Sequence, residues 1–469
     1  MTLQYHYIVP GDDFVHAGEA SGHLKGVLRQ LGYPGDAIRR VAVSMYEGEI
    51  NMVIHANGGE IDAEIDDHGI TIVLRDQGPG IPDVEKAMQE GWSTASDEIR
   101  AQGFGAGMGL PNMKKYTDKE KMEHQTYFHS VTLNKDLCHG CITCVKRCPT
   151  EAIRVRDGKA RILGERCIDC GECIRICPHH AKRAVSDTME ALDGFKYKIA
   201  LPAPVLFAQI KHLDHTGRII LALQRIGFDE VYEVGAAAEL ISQSTKEYMA
   251  HYQGPLPLIS SACPAVLRLI RVRFPDLLEH LLPLQPPVEL AAVLARRAAV
   301  EKTGLKPEEI GVAFITPCPA KVTAAKVPLG NQTRNIDAAI AISRVYPQLV
   351  QEVKKMELPE FEHLSHMGST GLSWAANSGE STGSGQRRYI AADGIENVIK
   401  ILEAIEDEQF TRLDFVELSA CPGGCVGGVM NVENPYAAAA RIKRLARDLP
   451  QVGTQWPTPE WLPEDVYFT

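Results

Sequence analysis

The hydrophobic and polar positions along the chain fall into three regimes. Near the amino terminus LQYHYIVP alternates as a strand does. GEASGHLKGVLRQLG then carries the apolar spacing of a helix until Pro34 and Gly35 break it. A second helix is predicted over about 37–56, with Ile38, Val41, Met45 and Val53 in its apolar stripe and Asp36 as its N-cap. GEIDAEIDDHGITIVLRDQGPG sets Ile61, Ala63 and Ile65 against Ile70, Ile72 and Leu74 on either side of Asp67-His68-Gly69, which predicts a β-hairpin. MEHQTYFHSVTLNKDL predicts one more strand, closing this first fold.

The second regime is short: EAIRVRDGKARI alternates around Asp157-Gly158 and predicts a small hairpin between two similar half-repeats. From about 191 the pattern changes again. Strand-like KIALPAP, IGVAFITP and LDFVELSA alternate with amphipathic GRIILALQRIG, AVLRLIRVRF, VELAAVLARRAAVEKTG and GIENVIKILEAIE, an α/β arrangement. The expected fold class is a multidomain α/β and α+β protein, with domains at 1–128, 129–190 and 191–450 and a tail at 451–469.

Composition changes this picture in two ways. A chain of 469 residues, 45% hydrophobic and 23% charged, is too long for one ordinary core and has the balance of a soluble globular protein. A formal charge of -11 gives no general electrostatic reason to bind nucleic acid or an anionic membrane. The start MTLQYHYIVPGDDF has neither the basic residues nor the apolar run of a secretory signal, and no apolar stretch reaches membrane-spanning length. Cytoplasmic residence is expected. In a reducing compartment, twelve cysteines read as metal ligands before disulfides.

Eight of those cysteines form two runs, Cys138, Cys141, Cys144, Cys148, Pro149 and Cys167, Cys170, Cys173, Cys177, Pro178, each reading C-x2-C-x2-C-x3-C-P. Zinc sites pair two short knuckles and have no use for a third closely spaced thiol. The spacing is that of a ferredoxin holding two 4Fe-4S clusters, where the fourth cysteine of each run ligates the other cluster. Cys138, Cys141, Cys144 and Cys177 would hold one cubane, and Cys167, Cys170, Cys173 and Cys148 the other. The stretch resembles a bacterial two-cluster ferredoxin module, which implies single-electron transfer.

In the first domain Glu47 and Asn51 lie four apart and share one helical face. The second hairpin strand ends in Asp76-Gln77-Gly78-Pro79-Gly80, and glycines follow at Gly103, Gly105, Gly107 and Gly109 before a helix starting near Leu110. Closely spaced glycines admit phosphate to the backbone, and a helix start offers it amides. This order resembles the ATPase fold of gyrase, histidine kinases and, above all, the compact anti-sigma-factor serine kinases. The resemblance implies an α/β-sandwich that binds ATP and Mg²⁺. Asn51 would coordinate the metal, Glu47 would orient or deprotonate the attacking group, Asp76 would accept the adenine amino group, residues 82–102 would form the lid, and the glycines would lie on the phosphates. Hydrolysis, transfer to a partner serine and binding alone all use such a site.

Four cysteines remain: Cys263, Cys318, Cys421 and Cys425. They stand at SSACP, TPCPAK and ELSACPGGC, at or beyond the ends of predicted strands, where α/β folds bind ligands. The prolines and glycines beside them make tight loops rather than core. Residues 191–450 resemble the two-lobed catalytic domain of FeFe-hydrogenases, whose signatures are TSCCP, PCxxKxxE and ACPGGC. The resemblance implies a third 4Fe-4S cluster on these four cysteines, a diiron subsite bridged from Cys425, and Lys321 contacting a cyanide of that subsite.

The departures are specific. Ala262 replaces the proton-relay cysteine, Ala324 the glutamate, Thr316 and Ser419 two methionines, and Gly427-Gly428-Val429 interrupts a glycine run. The acidic pair expected after GFDEVYEV is not evident in AELISQSTKE. Ligands kept and relay lost is the pattern of sensory hydrogenase-like proteins, which this chain also resembles through NVENPYAAAARI. The expected function is a redox- or H₂-sensing regulatory iron–sulfur protein. It would have a redox partner (a ferredoxin, hydrogenase or oxidoreductase subunit), a signalling partner, and no nucleic acid or membrane partner. Two alternatives stand beside it: a slow hydrogenase, and an ATP-coupled electron donor. The tail QWPTPEWLPEDVYFT is expected to dock on the body of the protein.

Overall fold

Alternation in the first residues produces strand β1 (Leu3–Pro10), which pairs antiparallel with β2 (Gly58–Asp66), itself paired with β3 (Gly69–Asp76). The register sets Ile61 opposite Leu74 and Ile65 opposite Ile70, so the apolar face of the hairpin meets two helices, Glu19–Gln30 and Gly35–Asn51. Leu24, Leu28, Met45 and Ile61 are fully buried between the layers. The chain leaves the second helix through a π-helical turn, Met52–Ala56, and reverses at Asn57 and Gly58. Gly58 has φ +96°, and a Cβ there would lie 2.4 Å from the Val9 carbonyl oxygen, so the turn requires glycine.

The protein is described from a computed structural model, which covers all residues except 1–2, 12–16, 67–68, 77, 79, 82–83, 90, 96–98, 100–105, 118–127, 330–333, 358–359, 454–462 and 468–469. It divides into two compact units, Met1–Tyr127 and Phe128–Thr469. None of the described helices is long and apolar enough to cross a membrane.

Two expectations are corrected. The second helix begins at Gly35, not after an Asp36 cap: Ile38 N–H donates to the Pro34 carbonyl, which places Asp36 in the first turn, where a negative charge suits the helix dipole. The strand expected to close the first fold is β4 (Val131–Leu133), and it belongs to the second unit. It pairs with β7 (Lys182–Ala184), because the ends of the cysteine-rich segment meet there and satisfy each other's backbone. Between them, β5 (Ile153–Arg156) and β6 (Lys159–Ile162) form the predicted hairpin, with Asp157 and Gly158 both at positive φ.

Beyond residue 190 two parallel sheets carry the fold. One has the order β12 (Ala338–Ala341), β11 (Ile310–Thr316), β8 (Tyr197–Pro202), β9 (Glu230–Val231). The other runs β10 (Leu258–Ile259), β14 (Phe415–Ser419), β13 (Tyr389–Asp393). All seven residues of β11 are buried, the mark of a strand covered on both faces. Helices Gly217–Arg225, Pro264–Arg273, Pro287–Thr303 and Ile395–Glu406 lie where the pattern predicts them. The described part of the tail docks on the body. Gln285 N–H donates to the Val466 carbonyl at 2.6 Å, Val466 is buried, and Arg297 pairs with Asp465 at 2.9 Å. Trp456 and Trp461 lie outside the described residues.

Candidate functional site

The first cysteine run wraps a cavity whose walls include Cys138, Cys141, Cys144 and, from the far end of the second run, Cys177. Cys141 is exposed, while Cys138 and Cys144 are buried. Cys148, from the first run, stands close enough to Cys167, Cys170 and Cys173 to raise each thiol, although burial is the larger cause and pushes Cys173 to about 12. Both groupings are crossed, one member of each coming from the other run. Amides point at the sulfurs: Ala160 N–H to Cys138 at 3.4 Å, Ala181 N–H to Cys177 at 3.3 Å, and Ala152 N–H to Cys148 at 3.2 Å. Sulfur donors around one cavity with amides turned to them suit a 4Fe-4S cubane, whose reduction potential is tuned by such hydrogen bonds.

The other four cysteines are gathered at the carboxyl ends of the parallel strands. Cys263 caps helix Pro264–Arg273 just after β10, Cys318 caps helix Pro319–Lys326 just after β11, and Cys421 follows β14. Cys425 opens a short helical turn held in place by Gly427, where a Cβ would lie 2.0 Å from the Pro422 carbonyl oxygen. Burial raises the thiols of Cys263, Cys318 and Cys421, the last to about 12. Loading a metal here would therefore displace protons as well as bind sulfur.

Lys321 reaches Cys425 with Nζ 3.7 Å from Sγ. Burial pulls its ammonium down, but the sulfurs of Cys425, Cys318 and Cys263 outweigh this and raise it. Thr316, at a position where the resemblance implies methionine, accepts the Cys318 N–H at 3.3 Å through its hydroxyl. Beside Lys321 lies a cavity bounded by Ala262, Ala324, Gln285 and Glu289. Gln285 Oε1 is buried there without a partner, and burial raises the Glu289 carboxyl, which accepts from Asn335 Nδ2 at 3.2 Å. An orphaned acceptor, an ammonium and four sulfurs fit a cubane extended into that cavity by a polar inorganic group. Glu289 was missed in the sequence because one acid in VELAAVLA reads as the polar edge of a helix. The acids near AELISQSTKE face elsewhere: Glu233 accepts from the His366 and Met367 amides, and Glu239 from Gly368, Gly371 and Gly453.

Behind Cys263 stands a buried pair of acids. Glu380 accepts the Ser260 hydroxyl at 2.5 Å, and Glu417 accepts from the Ser378 and Ser381 amides. Burial, with the charge of Glu417, raises Glu380 from 4.5 to about 8. A carboxyl raised on folding holds its proton in the native state, so stability is full below the unfolded value and declines as pH rises towards the folded one. Between pH 4.5 and about 8 this one group should subtract up to about 1.4 kcal/mol of stability per pH unit. Glu380→Gln should flatten that slope in a pH series of thermal melts.

The second and third cysteine groups are tied together by buried polar contacts. Arg175 reaches the Gly427 carbonyl at 2.9 Å and lowers the Cys421 thiol against its burial. The fully buried Asp169 carboxylate accepts Ser130 N–H at 2.9 Å, Val131 N–H at 3.2 Å and Thr323 Oγ1 at 2.7 Å, and pairs with Arg268 at 3.2 Å. His129 stands with Cys167 and Asp169, their ligand atoms within 4.8 Å of one another.

In the first unit, Glu47 accepts from Asn112 Nδ2 at 2.6 Å, which joins helix Gly35–Asn51 to helix Gly109–Tyr116. Asn51 abuts the start of the latter, where a Cβ on Gly109 would lie 2.9 Å from its amide nitrogen. Gly107, at φ +76°, accepts Gly91 N–H at 3.0 Å. Asp76 ends β3 and accepts Gly78 N–H at 2.8 Å, and Gly80 has φ +72°. His55, one turn beyond Asn51, is lowered by burial against the pull of Asp76. Gly103, Gly105 and much of the expected lid lie outside the described residues. The sequence reading missed Glu49, which is buried and accepts the Gly18, Ala20 and Ser21 amides at the start of helix Glu19–Gln30.

These parts define an iron–sulfur electron-transfer protein joined to an ATP-binding fold. The chain belongs, through its C-terminal domain, to the family described as iron only hydrogenase large subunit, C-terminal domain, matched over residues 196–345 and 341–429. A 4Fe-4S dicluster domain matches residues 130–178 and a histidine kinase-like ATPase domain residues 13–134. Among curated relatives, the NADP-reducing hydrogenase subunit HndD of Solidesulfovibrio fructosivorans is 25% identical over 324 residues, 56% of this chain and 55% of that protein. This chain thus spans about half of that relative's length. The periplasmic Fe hydrogenase large subunit of Nitratidesulfovibrio vulgaris is 26% identical over 68% of this chain and 89% of its own length. The serine/threonine-protein kinase RsbT of Bacillus subtilis is 33% identical over 99 residues, 20% of this chain and 68% of the kinase.

Proposed function

We propose that this is a regulatory iron–sulfur protein responsive to redox state or H₂. Cubanes on Cys138, Cys141, Cys144 and Cys177, and on Cys148, Cys167, Cys170 and Cys173, would exchange electrons with a redox partner protein and pass them to a third cubane on Cys263, Cys318, Cys421 and Cys425. A diiron subsite bridged from Cys425 would supply the H₂ chemistry. The chain's own contribution there is Lys321 to hold anionic ligands, the unpartnered Gln285 carbonyl to accept a hydrogen bond, and Glu289 as the acid of the cavity. The observation that carries this reading is the join between the second and third cysteine groups through Arg175, Asp169 and Arg268.

The ATPase domain would report or gate that state, with Asn51 holding Mg²⁺, Glu47 orienting the attacking group, Asp76 reading adenine, and Gly78, Gly80, Gly107 and Gly109 close to the nucleotide. Asn51→Ala should weaken Mg-ATP binding at least about tenfold, or about 1.4 kcal/mol, in titration calorimetry.

Infrared spectra of anaerobic protein, taken after exposure to hydrogenase maturation enzymes with and without H₂, test the whole reading. CO and cyanide bands that shift with H₂ are expected. Three cubanes by iron analysis with no such bands would leave redox sensing and remove H₂. The retained Lys321 favours a second reading, a slow hydrogenase, which H₂-dependent dye reduction lost on Lys321→Ala would establish.

A further inference from the structure

Lys182 begins β7, directly after the Ala181 amide that points at Cys177, yet its side chain turns inward. It is 3% exposed, and its Nζ is buried with no hydrogen-bonding partner. Buried charges such as Asp169 and Glu172 are provided for, by Arg268 and Arg175. A lone ammonium in such a place is strongly destabilising unless something anionic offsets it. Its surroundings say what that is. Lys182 lines the cavity of Cys138, Cys141, Cys144 and Cys177, and the strand it begins packs against the helical turn Glu172–Arg175, which carries Cys173 of the other group. It is therefore within electrostatic reach of both cysteine groups.

We infer that the Lys182 ammonium is the shared counter-charge of the two ferredoxin clusters, raising both reduction potentials and letting the module hold two electrons at once. The inference rests on the cluster assignment above. A cubane with four thiolates is anionic and becomes more so by one charge on accepting an electron, so a fixed cation nearby stabilises the reduced form over the oxidised one. An electron on one cluster also repels the next electron from the other. A cation within reach of both offsets that repulsion, because it stabilises the added electron on each cluster.

The test is an anaerobic redox titration of the full chain, followed by electron paramagnetic resonance, for wild type, Lys182→Met and Lys182→Arg, with iron content measured on each. In Lys182→Met both ferredoxin potentials should fall by about a tenfold change in each reduction equilibrium, equivalent to 59 mV for a one-electron couple. The splitting from two reduced neighbours should also appear only at lower potential. Lys182→Arg should stay near wild type.

Potentials unmoved in Lys182→Met with iron retained would overturn the inference, and movement of one cluster alone would overturn the shared role. Should Lys182→Met lose iron, Lys182→Gln takes its place under the same criteria. Loss in both neutral variants with normal assembly of Lys182→Arg supports a required charge, while loss in all three makes the residue structural and overturns it. Wild type with fewer than two ferredoxin clusters would sink the cluster assignment itself, which the iron analysis reads separately.

Discussion

Cys318→Ala is expected to yield a protein with about eight irons in place of about twelve, and with the ferredoxin-type signals intact. The reasoning starts from where Cys318 stands. It follows the fully buried strand β11, caps helix Pro319–Lys326, and its half-buried sulfur lies near those of Cys421 and Cys263. Alanine leaves three sulfurs for a four-cornered cluster. The loss then spreads to Lys321, whose buried ammonium is held by sulfurs of this group and would be left with weaker compensation. Iron and sulfide analysis gives the reading directly, and Cys141→Ala is the control that should remove the outermost cluster instead. A Cys318→Ala protein with wild-type iron would refute the four-cysteine site.

Asp169→Ala should lower the midpoint of thermal unfolding by roughly 10 °C without any ligand having been changed. The carboxylate is fully buried and raised by that burial, against the opposing pull of Thr323 and Arg268. Removing it strands Arg268, itself 13% exposed, and frees two amides and a hydroxyl. Losing one partner of a buried pair costs about 3–5 kcal/mol. The double variant Asp169→Ala with Arg268→Met should recover part of the loss, because it removes the uncompensated charge. A double variant no better than the single one would place the cost in the freed amides and not in the ion pair.

Most of the architecture was legible because it is written locally. The alternation of LQYHYIVP, the breaks at Pro34 and Gly35, the Asp157-Gly158 turn and the amphipathic helices after 215 all depend on neighbours within a few residues. VTL at 131–133 shows where that ends: its alternation predicts a strand but not its partner, and tertiary closure assigned it to Lys182–Ala184. Ala338–Ala341 is alanine-rich, which favours helix, yet it pairs as a parallel strand with β11.

The site residues divide the same way. The two cysteine runs announce themselves by spacing, whereas Cys263, Cys318, Cys421 and Cys425 were grouped only through likeness to a family. Lys182, Glu289 and Asp169 were invisible. A lysine after a cysteine-proline turn, one acid in an apolar helix and an aspartate between cysteines all read as surface until the fold buries them.

The unequal depth of the cysteines sets an order of wear. Cys141 alone among the twelve is exposed, so the cluster it would ligate is the one that oxidants in solution reach first. Oxidants attack exposed sulfur with thiolate character first. In air the protein should fail from the outside inward, losing its outermost cubane like a blown fuse. The innermost site would then be intact but disconnected, and refitting the outer cluster would be enough to restore it.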